Sequence, residues 1–149
     1  MKEAVIHMWD VHEIVLHAKN NYNNPYTDVT VWAQLKGPGF DKRVYGFWDG
    51  GDTWRIRVTA TAPGTWTYTT GASVPDAGLA GISGGYFALE WTEEEKEENP
   101  CRRGIVRASR NGHAMEYADG TPYVMVGDTW WPLSTYRFPW VEDEQERPI

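Results

Sequence analysis

Asp128 stands between a short apolar run and two indoles, Trp130 and Trp131. A carboxylate accepts hydrogen bonds from hydroxyl groups, and an indole face packs on the apolar face of a sugar ring. Together they suit a rim that contacts a saccharide. Tyr136 and Trp140 follow in the same stretch and are weaker candidates than the two indoles. Each has a plainer reading. Asp128 could hold its own loop in an Asx turn. One tryptophan could plug a packed interior.

The elements that would position this rim begin at Tyr117. Asp119-Gly120 reads as a tight turn with φ > 0. Pro122 then fits a strand start, where a missing N–H costs least. Residues 123–126, Tyr-Val-Met-Val, form a continuous apolar run. Such a run predicts a strand buried on both faces, as in a parallel sheet. In a barrel of parallel strands the C-terminal strand ends carry the active site, which is where Asp128 falls. A parallel strand also needs a crossover and a partner strand. Residues 132–149 supply neither, so the sequence reads as broken off inside a first strand-to-helix connection.

Other chemistries find little support. Glycoside cleavage needs a pair of carboxylates flanking the bond, and nothing in the spacing positions a partner for Asp128. No residue is therefore assigned a catalytic role. His7, His12, His17 and His113 are scattered, without the close pairing of a zinc site. Asp49-Gly50-Gly51-Asp52 lacks the spaced oxygens and closing Glu of a calcium loop and reads as a hairpin turn. No metal is expected. Cys101 is the single cysteine; it has no catalytic partner and is read as structural. No phosphate loop, dinucleotide fingerprint or serine elbow occurs, so no cofactor is expected.

The net charge of −7 disfavours nucleic acid and anionic membrane surfaces as partners. No apolar run approaches the roughly 20 residues of a membrane helix, and residues 1–10 do not read as a signal peptide. Nine tryptophans and eight tyrosines set the composition apart. Aromatics of this kind fill β-sheet cores, and they also stack on sugars.

From residue 4 to residue 91 apolar and polar residues alternate in short runs. Ile14 and Leu16, then Val29 to Leu35, then Trp54, Ile56 and Val58, then Trp66 and Tyr68, then Phe87, Leu89 and Trp91 mark the apolar faces. Asn-, Pro- and Gly-rich breaks separate them. Period two with turns between predicts about seven antiparallel strands in a sandwich or small barrel. Residues 71–85 read as a loose surface loop. Glu93 to Pro100 is an acidic run and reads as a solvated linker. Asn111-Gly112 signals a hairpin between strands at 104–109 and 114–118. The organisation expected is a sandwich over 1–92, a linker over 93–103, and hairpins with a first barrel strand over 104–149. The sandwich should close its core alone, whereas residues 119–149 should not fold without neighbouring strands.

Two stretches carry a family resemblance. Asn24-Pro25-Tyr26 with Asp28-Val29, Gly46-Phe47-Trp48-Asp49-Gly50-Gly51, Trp54-Arg55-Ile56-Arg57 and Pro63-Gly64-Thr65-Trp66-Thr67-Tyr68 resemble the immunoglobulin-like β-sandwich that precedes the catalytic domain in a group of glycoside hydrolases. Tyr117-Ala118-Asp119-Gly120-Thr121-Pro122 and Gly127-Asp128-Thr129-Trp130-Trp131 resemble the start of the apiosidase-like (β/α)8 domain of the same enzymes. The resemblance implies action on polysaccharide side chains, with the catalytic carboxylates on later strands. It also implies secretion or a periplasmic location, while a cytoplasmic one stays open. Two other functions fit the residues: a carbohydrate-binding module, or a structural spacer. The direction of the tryptophans separates them, because a binding module needs two or three exposed, coplanar aromatics.

Overall fold

The structure, a computed structural model, describes residues 4–129. Strands β1 (Ala4–His7), β2 (His12–His17), β3 (Val31–Gly37), β4 (Phe40–Tyr45), β5 (Phe47–Trp48), β6 (Thr53–Val58), β7 (Gly64–Ala72) and β8 (Ser83–Leu89) come first, with one helical turn, α1 (Pro25–Asp28), before β3. Helix α2 (Glu93–Glu98) and a 3-10 turn (Pro100–Arg103) follow, then β9 (Val106–Ala108), β10 (Met115–Tyr117) and β11 (Pro122–Tyr123). The chain is mainly β, as its alternation predicts.

The strands make three sheets, ordered β1-β8-β7-β3-β4, β2-β6-β5 and β11-β10-β9. The first two share one core. Ile14 and Leu16 of β2 and Trp54, Ile56 and Val58 of β6 meet Val31, Ala33 and Leu35 of β3, Trp66 of β7 and Tyr86 of β8 in a single buried cluster. Period-two alternation puts each set on one face of its strand, and burying that face drives the two sheets together. The turn at Asp49 to Asp52 joins β5 to β6, with Thr53 N–H donating to the Gly50 carbonyl and Gly50 and Gly51 at positive φ.

Three expectations are corrected. First, β8 turns the other face inward. Tyr86 and Ala88 are fully buried, while Phe87 and Leu89 are 38% and 41% exposed. The cause is register. Trp66 and Tyr86 are directly opposed on β7 and β8, so burying the Trp66 indole forces Tyr86 inside and Phe87 out. The two rings stack with centroids 6.2 Å apart.

Second, the stretch between β7 and β8 is anchored in the core. Leu79 is fully buried, and Asp76 is 4% exposed. The Asp76 carboxylate accepts the amides of Lys19, Asn20 and Gly78 and the Tyr22 hydroxyl. A buried carboxylate needs such donors to offset its lost hydration.

Third, the acidic run is a helix. Thr92 caps it, accepting from the Glu95 amide, while the Glu95 carboxylate accepts from the Thr92 amide at 2.9 Å. That reciprocal box satisfies two otherwise orphaned donors, and Glu93 to Glu95 sit favourably in the first turn. Lys96 is 6% exposed, held by Glu93 at 2.8 Å and Glu90 at 3.3 Å. Asn99 then caps the 3-10 turn through the Cys101 amide, leaving the Cys101 thiol residue exposed.

Candidate functional site

The third sheet forms where the turn chemistry places it. Gly112, at φ 74°, turns β9 into β10, and Gly120, at φ 90°, turns β10 towards β11. The Asp119 carboxylate accepts the Thr121 amide at 2.9 Å and closes that second turn. Beyond it the structure departs from the expected buried strand. Pro122 and Tyr123 pair antiparallel with Glu116 and Met115 of β10. Val124, Met125 and Val126 are then 81%, 71% and 92% exposed, and no strand flanks them among the described residues. An apolar run becomes a two-sided core strand only when chain packs on both sides of it.

Of the five rim candidates, Asp128 is the one within the described residues. It is exposed, and its carboxylate accepts the Thr129 amide at 2.7 Å. Trp130, Trp131, Tyr136 and Trp140 lie outside the described residues.

A cleft of about 460 Å³ opens at the seam between the two-sheet unit, α2 and the third sheet. Sequence reasoning passed over most of its lining. Trp9 stands in the crossover between β1 and β2, with φ 68°. A bulky residue in this left-handed region is strained. Its amide donates to the Ala60 carbonyl at 3.1 Å, and its ring lies directly over Gly104. Gly104 itself has φ 93°, and a Cβ there would fall on the Trp9 ring.

Trp91 forms a neighbouring wall. Its ring stacks on His7 at 3.9 Å and lies beneath the Arg102 guanidinium at 4.4 Å. Its indole N–H donates to the Met8 carbonyl at 2.7 Å.

Arg103 ties the seam together. One guanidinium nitrogen reaches Asp119 at 2.9 Å, Thr121 Oγ1 at 3.2 Å and Glu93 at 3.3 Å. Burial pushes the Asp119 carboxyl up, but the Thr121 amide and Arg103 outweigh it and hold the group below its ordinary range. A single side chain thus joins α2 to the turn that delivers β11. In the sequence Arg103 is one of two arginines beside Cys101, and its partners Glu93, Asp119 and Thr121 lie 10, 16 and 18 residues away.

The tryptophans of the two-sheet unit are engaged internally. Trp54 and Trp66 are buried. Trp48 donates to the Gly51 carbonyl at 3.0 Å and packs on the core. Trp32 lies under the Arg43 guanidinium at 4.5 Å. Among the described residues no group of His, Cys, Asp and Glu side chains converges as metal ligands, and no helix is long and apolar enough to cross a membrane.

Against this geometry the comparisons are specific. A mainly β chain of this kind matches, over residues 5–73, the family described as domain of unknown function DUF5060. The chain is also similar to the crystal structure of a putative glycoside hydrolase from Bacteroides vulgatus, with 27% identity and a TM-score of 0.64. That likeness covers 82% of this chain and 21% of the other. The chain therefore spans about a fifth of its structural neighbour's length. A comparison with curated proteins finds no match.

Proposed function

We propose that the chain is the ancillary β-sandwich and opening segment of a glycoside hydrolase acting on polysaccharide, and that these 149 residues alone are inactive. The observation that carries the reading is the lopsided coverage: most of this chain, but 21% of the hydrolase it resembles. Two sheets over one core support an immunoglobulin-like sandwich. The exposed run Val124 to Val126 supports a first strand of an apiosidase-like (β/α)8 barrel, a surface that further strands would cover. Asp128, Trp130, Trp131 and Tyr136 would then line the substrate cleft at that strand's C-terminal end. Within this reading the sheet faces of the sandwich are a spacer rather than a sugar platform, because Trp32, Trp48, Trp54 and Trp66 are buried or covered.

The test is turnover of plant and algal polysaccharides by a polypeptide that continues this sequence through a barrel, set against the 149-residue chain. Activity should appear in the longer protein alone. There Asp128→Asn should cost about 1–3 kcal/mol of transition-state binding. Reproducible turnover by the short chain, abolished by a substitution within it, would refute the reading, as would wild-type kcat/KM in the Asn variant for the role of Asp128.

A further inference from the structure

We infer that the seam cleft binds a neutral oligosaccharide, an inference that rests on the glycoside-hydrolase reading. Two independent observations meet there. The first is the cavity, whose size falls in the range of small-ligand sites, roughly 300–1,000 Å³. The second is the strain. Trp9 holds a left-handed backbone that L-residues avoid, and Gly104 is the one residue type that leaves room for its ring. Such outliers persist where the surroundings over-determine them, and they gather at ligand clamps.

The lining has the two halves a pyranose needs. Trp9 and the 63%-exposed Ile105 offer an apolar wall for the C–H face of the sugar. Glu90, whose side chain is 59% exposed, presents carboxylate acceptors, and Arg107, at 53%, presents guanidinium donors. Both are partly wet already, so a hydroxyl can replace water on them without stranding a buried charge. The cations of the lining are already paired, Lys96 with Glu93, Arg102 with Glu98, Arg103 with Asp119 and Arg107 with Glu116, so a uronate carboxylate would have to displace an ion pair, which selects a neutral saccharide.

The test uses the 149-residue chain as it stands. Its tryptophan indole N–H resonances are followed by two-dimensional NMR while cellohexaose, xylohexaose or hexagalacturonate is added. A neutral hexasaccharide should shift the Trp9 and Trp91 signals saturably. Trp9→Gly, which relaxes the backbone as it removes the ring, should weaken binding about tenfold. Tyr26→Ala, at an 80%-exposed position elsewhere, should leave affinity unchanged. If Trp9→Gly does not fold, the exposed pair Glu90→Gln and Arg107→Gln carries the same expectation. The inference is overturned if neither neutral sugar shifts the cleft signals, if the uronate alone does, or if affinity survives the cleft variants. Hydrolysis by a barrel-containing protein would stand in each of those cases, so the two failures are distinguishable.

Discussion

The Tyr22 hydroxyl donates to Asp76 Oδ2 at 2.8 Å, joining positions 54 residues apart in the chain. With the amides of Lys19, Asn20 and Gly78 it makes Asp76 the latch of the β7–β8 connection. Burial pushes this carboxyl up, but the three amides and the hydroxyl outweigh it and bring it from 3.8 to about 2.

The folded-state value lies below the unfolded one, so ionised Asp76 stabilises the fold. The shift corresponds to about 2 kcal/mol. That contribution is full above about pH 4 and is lost as pH falls towards about 2. Asp76→Asn should lower stability at neutral pH by a similar amount and flatten the loss in that acid window. Urea midpoints measured across the window check it; parallel curves for variant and wild type would contradict the assignment.

Gly104→Ala should destabilise the seam. The new Cβ meets both a left-handed φ and the Trp9 ring. The backbone part alone, at φ 93° and ψ −164°, costs about 1–3 kcal/mol. Calorimetry should show a lower Tm, and the double variant with Trp9→Gly should recover part of it. Additive losses in the double variant would show that the two residues do not press on each other.

Arg103→Ala removes one contact to Glu93 of α2 and two to the Asp119–Thr121 turn. Amides of β10 and β11 should exchange faster, by a local opening energy of about 1–3 kcal/mol. Strands β3 and β7 should keep their protection. Arg103→Lys should restore part of the protection, because all three contacts come from one guanidinium nitrogen and an ammonium carries three donors. Uniform acceleration across all three sheets would mean that the seam is no separate cooperative unit.

Tyr86→Phe should be neutral or stabilise by up to about 1 kcal/mol. The Tyr86 hydroxyl is buried without a hydrogen-bond partner among the described residues, and burial pushes it up to about 12. Removing such a group relieves a desolvation cost. A clear loss of stability on thermal unfolding would reveal a partner for that oxygen.

Most strands were legible in the sequence because period two is a local property. The apolar alternation of β2, β3 and β6 names the inward faces directly, and Asn111-Gly112 and Asp119-Gly120 mark turns through backbone chemistry that glycine alone meets cheaply. Helix α2 was not read, although Thr92 and Glu95 carry its capping box, because the density of like charge argued for a solvated linker. The face of β8 was not legible either. Phe87 and Tyr86 are both aromatic, and only the pairing of Tyr86 with Trp66 decides which is buried. Nor could the sequence show the seam. Trp9 meets Gly104, and Arg103 meets Asp119, because the connection that crosses from β1 in one sheet to β2 in another and the helical segment before the third sheet bring distant segments together. Local pattern determined which residues would form strands and turns. Long-range register and packing decided which of them face one another, since side chains separated by scores of residues carry no mutual signal until the chain is folded.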